Sequence, residues 1–217
     1  MAAIYLIRHA QASFGARNYD KLSALGEQQA AHLSTVVGDV KPDVVMSGSM
    51  RRHQQTATLA GFAAEVDRGY DEFDHQAVIV AHKPAYKRHP VMLADLARTG
   101  NPKRAFQEMF TAATQRWIDG EAGYSESFTA FCDRSEDAVR RTAERLAKSE
   151  TALVFTSGGP IAAVVSRLLS GGDGLWAKLN PVTINTAITK VVSGRSGLTV
   201  VSYNEHVHLG ADLLTYR

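Results

Sequence analysis

Short apolar runs alternate with amphipathic stretches along the first third of the chain. Residues 3–7 form an apolar run of strand length, and a second such run lies at 43–47. Ser23 is a predicted N-cap of the helix between them, and another helix is predicted over about 49–63. This strand–helix–strand–helix order favours parallel strands joined by right-handed crossovers.

The middle of the chain shows helical spacing without strand-like runs. Asn101 and Pro102 are typical of a helix N-cap and first turn. Aromatic and apolar residues then recur at helical spacing over 106–117, and a further amphipathic pattern covers 128–146. The stretch from about 77 to 150 is therefore predicted to be a helical insertion, which we expect to form a lid beside the strand ends.

Strand-like patterns return after this insertion. The predicted elements are a strand at 152–156, a helix over about 160–170, and strands near 186–192 and 198–203. We expect one domain over residues 1–217 of the α/β class. In this three-layer sandwich, helices flank a mostly parallel central sheet, and the helical lid is inserted at about 77–150.

Composition narrows the class of protein. The 217 residues carry 24 Lys and Arg against 22 Asp and Glu, a net charge of +2, with no long basic block. We therefore expect neither nucleic acid nor an anionic membrane as a partner. Cys132 is the only cysteine, so an intrachain disulfide and a cysteine-rich metal site are excluded.

The lengths of the apolar runs indicate whether the chain has a signal peptide or a membrane span. The first run reaches Arg8 too soon for the core of a signal peptide. The longest apolar stretch, 152–165, is interrupted by Gly-Gly-Pro and is too short to span a bilayer. These features predict a soluble, cytoplasmic protein. The oligomeric state is not predictable from them.

Candidate chemistry lies where the predicted strands end. Arg8 and His9 follow the first apolar run, and ligands of parallel sheets bind at the carboxyl ends of strands. A neutral imidazole can attack phosphorus, and a guanidinium fork can hold two phosphoryl oxygens. A polar cap on a strand end is the alternative interpretation of this pair alone.

The next two strand ends carry anion-binding features of their own. Ser49 is a predicted N-cap after the second strand, which places Arg52 in the first helical turn. Ser157 and Gly158 follow the strand at 152–156 and open a helix. Amides at a helix N-terminus donate to phosphate, and glycine permits close approach of a ligand. Three strand ends therefore predict one phosphate-binding edge.

With these residues in view, the chain resembles the histidine phosphatase superfamily, in the branch that includes the cofactor-dependent phosphoglycerate mutases. The resemblance extends over nearly the whole chain. Its segments are LIRHA at 6–10, LSALGEQQA at 22–30, SGSMRRHQQTA at 47–57, DEFD at 71–74, SGGPI at 157–161, NTAIT at 185–189 and NEHVHL at 204–209.

The resemblance implies a role for each matching residue. His9 would be the nucleophile that forms a phosphohistidine, and Arg8 and Arg52 would hold the phosphoryl group, whereas Arg51 is expected to be solvated. Glu72 would protonate the leaving oxygen and later deprotonate water. Two arginines stabilise the charge of phosphoryl transfer, so no metal and no other cofactor is expected.

The chain departs from the family pattern at three places. Ser157 stands where the family usually carries a second histidine; a hydroxyl donates a hydrogen bond without adding positive charge. Ala10 stands where glycine usually follows the nucleophile. Gly15 stands where an asparagine is often found. Residues that are candidates to serve in place of this asparagine are Ser13, Arg17 and Asn18.

Two further hypotheses concern side chains near the predicted site. One of four histidines is a candidate to supply the missing imidazole, although each has an ordinary polar role as its alternative. They are His53, His75, His206 and His208. Lys83, Lys87 and Arg88 are interpreted either as a solvated face or as a clamp for a second acidic group of the substrate.

Together these observations predict a metal-independent phosphomonoester hydrolase, slowed by Ser157, that acts through a phosphohistidine on His9. Its partner is expected to be a small phosphorylated substrate or inorganic phosphate, bound with help from Gly158. The alternatives are a non-catalytic protein that binds phosphate or a phosphoester, and a phosphoglycerate-type mutase. The identity of the substrate is not predictable from the sequence.

Overall fold

The computed structural model describes residues 1–13, 20–121 and 123–216. They form two compact units. The first comprises Met1–Glu72 and Cys132–Arg217, and the second comprises Phe73–Phe131.

A six-stranded mixed sheet is the centre of the first unit, in the order β3-β2-β4-β1-β5-β6. The strands are β1 (Ala2–Arg8), β2 (Val44–Ser47), β3 (Glu65–Val66), β4 (Thr151–Thr156), β5 (Ile188–Gly194) and β6 (Gly197–Glu205). The pairs β3–β2, β2–β4 and β4–β1 are parallel, whereas β5 is antiparallel to both β1 and β6. The five strands predicted from apolar runs are confirmed. The short β3 was not predicted because its two residues are exposed.

The α-helices account for most of the remaining elements. They are α1 (Ala24–Val37), α2 (Arg51–Leu59), α3 (His75–His82), α4 (His89–Ala97), α5 (Pro102–Ile118), α6 (Phe128–Glu144), α7 (Gly158–Ser170) and α8 (Trp176–Leu179). Two predicted caps are confirmed: the Ser23 hydroxyl accepts from Gly26 N, and the Asn101 side chain accepts from Arg104 N.

Helices cover both faces of the sheet because side chains alternate along each strand. On one face, Leu6 and Val154 pack in a core with Ile161 of α7 and Val139 of α6. On the other face, Ile7 and Phe155 pack with Leu33 of α1 and Ala57 of α2. The α/β class and the flanked sheet are therefore confirmed.

The second unit is entirely helical within its described residues and has a core of its own. Ile79, Tyr86, Met92 and Leu96 are buried there against Phe106 and its neighbours on α5. The predicted insertion overlaps most of this unit, which begins earlier, at Phe73, and ends at Phe131; the part of α6 from Cys132 onward belongs to the first unit. The single domain with a lid stays a prediction. Among the described residues, no helix is both long and apolar enough to cross a membrane.

Candidate active site

Backbone hydrogen bonds hold His9 just beyond the end of β1. His9 N donates to Thr156 O at 2.8 Å, and Asn185 Nδ2 donates to His9 O at 2.9 Å. The next amide, Ala10 N, donates to Thr56 Oγ1 at 3.0 Å. These neighbours fix the main chain that carries the ring. Sequence analysis assigned no role to Asn185 or Thr56, although both lie in the segments that carry the resemblance.

The His9 ring is held through both of its nitrogens. Nδ1 lies 2.7 Å from Ala10 O, and Arg52 Nε donates to Nε2 at 3.1 Å. A carbonyl oxygen only accepts, so Nδ1 carries the ring proton, and the Nε2 lone pair faces the guanidinium. The ring is thus a neutral imidazole with its nucleophilic nitrogen beside a cation.

Burial and positive neighbours keep this ring neutral. Burial lowers the pKa of His9 well below its ordinary 6.5, and the charges of Arg52 and Arg8 and the His53 ring lower it further. Its hydrogen bond to Ala10 opposes this shift only in part. A lowered pKa favours the form of the ring that has a lone pair to share.

Arg52 lies in the first turn of α2 and is only 4% exposed. Its Nη1 pairs with Asp20 Oδ1 at 2.7 Å, and the other carboxylate oxygen accepts from Arg51 N at 2.8 Å. The helix N-terminus and the guanidinium therefore bind one anionic group together, as expected for a phosphate site. The Arg51 side chain is exposed, as predicted.

The prediction that Ser49 caps α2 is wrong. Met50 is the N-cap residue and makes no side-chain cap bond. Ser49 instead donates from its amide and hydroxyl to the two oxygens of Asp71, at 2.5 and 2.6 Å. The hydroxyl therefore donates to a carboxylate, which forms a stronger hydrogen bond than a neutral acceptor does, and the helix begins one residue later than predicted.

Arg8 reaches across the strand end to the C-terminal part of the chain. Its Nη1 donates to the carbonyl of Thr183 and, at 3.0 Å, to that of Tyr216. A Cβ built at Gly158 would lie 3.6 Å from Arg8 Nε and 3.0 Å from Asn180 Oδ1. Glycine at this position therefore leaves room beside the guanidinium.

The end of β4 brings the remaining predicted residues to the same edge. Ser157 is fully buried, and its Oγ lies 2.7 Å from His53 Nε2. Glu72 is partly buried and accepts from Gly159 N, in the first turn of α7, at 3.2 Å. This hydrogen bond places the Glu72 carboxyl group at the N-terminus of α7, beside the end of β4.

Of the four candidate histidines, only His53 is seen to contact a predicted site residue among those described in the first unit. Its ring centroid lies 5.5 Å from that of His9. His206 Nδ1 bonds the carbonyl of Asn204 two residues earlier, and His208 stacks near His32. His75 belongs to the second unit and packs against Phe73 and Phe110.

The structure also shows the surroundings of Ala10 and Ser13, which were considered with the departures from the family pattern. The Ala10 methyl is buried in a small cluster with Leu22 and Ala30. The Ser13 hydroxyl donates to the carbonyl of Leu22.

Within the basic cluster, Lys83 donates to Asp95 and to the Tyr86 hydroxyl, all in the second unit. The clamp that Lys83 was predicted to form with Lys87 and Arg88 stays a prediction. Three residues singled out by sequence analysis lie outside the described residues, namely Gly15, Arg17 and Asn18.

The two buried imidazoles predict a pH-dependent stability. Burial, with Arg52, also lowers the pKa of His53 well below 6.5. The unfolded chain binds these protons at higher pH than the folded chain, so stability is present above pH 6.5 and falls as the pH falls. Each ring then contributes a loss of up to about 1.4 kcal/mol per pH unit, or about 2 kcal/mol at pH 5.

Urea unfolding at about pH 7.5 and about pH 5 checks this expectation. His53→Gln removes one of the two titrating rings, so we expect its stability to fall by up to about 2 kcal/mol less between these pH values than that of the wild type. His89→Gln at an exposed position is the matched control. Equal pH dependence in the two variants would contradict the prediction.

Comparison with protein families finds one match that extends over most of the chain. The model of the histidine phosphatase superfamily, branch 1, matches residues 4–89 and 96–206. These ranges include the six predicted site residues, which are Arg8, His9, Arg52, Glu72, Ser157 and Gly158. No curated protein matches the chain.

Solved structures with the same fold have low sequence identity. A mutant phosphoserine phosphatase from Entamoeba histolytica, in complex with phosphoserine, is 16% identical over 96% of this chain and 100% of its own, with a TM-score of 0.67. A mycobacterial glucosyl-3-phosphoglycerate phosphatase is 20% identical over 94% and 99%, with a TM-score of 0.65. A phosphoglycerate mutase from Bacillus anthracis is 18% identical over 95% and 94%, also at 0.65.

Proposed function

The chain belongs to the histidine phosphatase superfamily and is an enzyme of the histidine phosphatase type, and we propose that it hydrolyses phosphomonoesters through a phosphohistidine on His9 without a metal. The contact between the neutral His9 Nε2 and the Arg52 guanidinium, 3.1 Å long, is the observation that carries this proposal. It presents a nucleophilic lone pair beside the charge that a phosphoryl group requires.

In the first step, His9 Nε2 attacks phosphorus in line with the ester oxygen. The N–P bond forms as the P–O bond breaks, and the electron pair of the broken bond leaves on the ester oxygen. Glu72, in its protonated form, gives that oxygen a proton, and the alcohol departs. Arg52 and Arg8 stabilise the charge on the phosphoryl oxygens, which is the main demand of phosphoryl transfer.

In the second step, water replaces the histidine. Glu72 takes a proton from the water as its oxygen attacks phosphorus, so the carboxyl group returns to its protonated form. The N–P bond breaks and its electron pair returns to His9 Nε2. One phosphomonoester and one water thus give one alcohol and one phosphate, and the enzyme is regenerated. The position of Glu72 beside Gly159 N, close to Ser157, supports this role.

The substrate class follows from the size of the anion site. Arg52 and the N-terminus of α2 hold a single carboxylate, that of Asp20, which is a group comparable in size to one phosphoryl. We propose a small phosphorylated metabolite as the substrate. Two of the phosphatases of the same fold, which are named for phosphoserine and glucosyl-3-phosphoglycerate, are consistent with this class.

A panel of phosphomonoesters tests the proposal. Purified protein with a chelator and no added bisphosphate should release inorganic phosphate from p-nitrophenyl phosphate and from phosphoserine, because two arginines supply the charge stabilisation. The absence of phosphate release, together with tight binding of phosphate, would instead establish a non-catalytic binding protein. Release only after addition of a bisphosphate would favour the mutase.

A further inference from the structure

His53 and Ser157 form a buried pair beside the proposed nucleophile. The two residues are fully buried, and His53 Nε2 lies 2.7 Å from Ser157 Oγ across 104 residues of sequence. The His53 ring is inclined by 35° to the His9 ring at a centroid distance of 5.5 Å. Both members of the pair therefore lie in the first unit, at the strand ends where the phosphoryl group is proposed to bind.

The fold makes room for this ring. A Cβ built at Gly48 would lie 2.3 Å from His53 Nδ1 and 2.7 Å from Asp71 Oδ1. Any other residue at position 48 would displace the imidazole or the carboxylate, since real Cβ atoms do not approach so closely. The absence of a side chain at Gly48 is therefore required for the observed position of the His53 ring.

The direction of the hydrogen bond follows from the other ring nitrogen. Among the described residues, His53 Nδ1 is buried and has no hydrogen-bond partner. A buried N–H without an acceptor is rarer in proteins than an unused acceptor. The neutral ring therefore carries its proton on Nε2 and donates it to Ser157 Oγ, which turns the serine hydroxyl hydrogen away from His53.

We propose that His53 and Ser157 form a donor pair that replaces the second imidazole expected at position 157: His53 Nε2–H donates to Ser157 Oγ, and the Ser157 hydroxyl donates to an oxygen of the phosphoryl group at His9. This inference rests on the proposed function. His53 is a positioning residue, since it acts through the serine. A hydroxyl alone rotates; one that is held by a donor is oriented and polarised, which strengthens its own hydrogen bond.

The pair also explains why serine stands at position 157. His53 Nε2 lies only 2.7 Å from Ser157 Oγ and both side chains are fully buried, so an imidazole at position 157 would overlap the His53 ring. The large His53 side chain and the small Ser157 side chain are complementary in volume, as neighbours in a well-packed interior are. The imidazole that contacts residue 157 is supplied by His53 of α2.

Kinetics of single and double variants test the pair. We expect His53→Leu to lower kcat for p-nitrophenyl phosphate by about 10- to 100-fold, with little change in KM, because the donor acts on the transition state. Ser157→Ala should lower kcat at least as much. The double variant should be no slower than Ser157→Ala, since His53 has no other route to the phosphoryl group. His32→Leu, outside the site, is the control.

Rescue separates a hydrogen-bonding role from a structural one. His53→Gln places an amide N–H donor near the Nε2 position and should recover kcat to within about fivefold of the wild type, whereas His53→Leu should not. Additive effects of His53→Leu and Ser157→Ala, or no rescue by glutamine in a variant of unchanged Tm, would overturn the proposal.

Relocation of the imidazole gives a second test. Ser157→His alone should lower kcat, because the new ring collides with His53. The double variant His53→Ala/Ser157→His should be at least about tenfold faster than Ser157→His alone, since alanine vacates the required volume. A kcat for Ser157→His above that of the wild type would overturn the proposal.

Binding of orthovanadate keeps this inference separate from the proposed function. Vanadate adopts the five-coordinate geometry of phosphoryl transfer and requires no turnover. His53→Leu should weaken vanadate binding about tenfold and inorganic phosphate binding less, and His53→Gln should restore it. If the wild type releases no phosphate, the proposed function fails and this result still decides the pair. Equal vanadate affinity in the wild type and His53→Leu would reject it.

Discussion

His9→Ala is expected to lower kcat for phosphate release by about 10⁴- to 10⁶-fold, as the loss of a covalent nucleophile does in other enzymes. The substitution removes Nε2, the atom that is proposed to attack phosphorus and that lies 3.1 Å from Arg52 Nε. Steady-state rates with p-nitrophenyl phosphate measure the loss. Acid-labile, alkali-stable label should appear on the wild type after rapid quenching of a ³²P-labelled substrate, and should be absent from the variant.

The same variant should still bind inorganic phosphate. The anion-binding groups belong to Arg52 and the N-terminus of α2, and none of them is removed with the His9 ring. We expect the Kd for phosphate to change by less than about tenfold. His89→Ala, at an exposed position, is the control for the loss of a histidine. A labelled residue other than His9, or a fall in kcat below tenfold, would contradict the proposed nucleophile.

The position of this site was predictable because its main-chain framework is encoded locally. Apolar runs predict β1, β2 and β4, and the polar residues that follow each run lie at one sheet edge, since these strands are parallel. The register confirms the juxtaposition, because Arg8 pairs with Thr156 immediately before His9 and Ser157. The sequence pattern thus predicts that the residues after β1 and β4 lie side by side at one sheet edge, as the register shows.

Contacts over long sequence separations were not predictable in the same way. Serine is a common N-cap residue, yet the Ser49 hydroxyl donates to the carboxylate of Asp71, 22 residues later. Four histidines in nearby segments were equivalent candidates for the missing imidazole. Only the packing of α2 against the end of β4 selects His53, across 104 residues. Local propensity contains no information about such partners, because they are determined by tertiary packing.

The second unit marks another limit of the sequence pattern. Helical spacing predicts α5, and the Asn101 cap is confirmed. The interpretation of Lys83 as part of a solvated face or a clamp omitted its ion pair with Asp95, at 2.8 Å. Solvent screens this exposed ion pair, so its contribution to stability is small. The pattern of charges along the sequence nevertheless did not indicate that Lys83 is paired with Asp95.

Arg52→Leu is expected to have two effects that arise from one charge. Loss of the guanidinium should lower kcat by about 10³- to 10⁵-fold, the range found when an arginine that stabilises phosphoryl transfer is removed. It should also raise the pKa of His9, because Arg52 is the strongest of the charged groups that lower it. The acid limb of kcat/KM should therefore move to higher pH, since a protonated His9 has no lone pair on Nε2.

Two comparison variants separate charge from geometry in this experiment. Arg52→Lys keeps a positive charge but loses the planar fork, so the acid limb should remain near that of the wild type while kcat stays reduced. Arg51→Leu removes an adjacent, exposed arginine and should change kcat by less than about threefold. If Arg51→Leu and Arg52→Leu lower kcat equally, the Arg52 guanidinium does not bind the phosphoryl group. If the acid limb is unmoved in Arg52→Leu, the guanidinium does not control the pKa of His9. The pH profile decides this independently of any change in fold stability, because a destabilised enzyme loses amplitude at every pH, whereas a changed pKa displaces the limb itself.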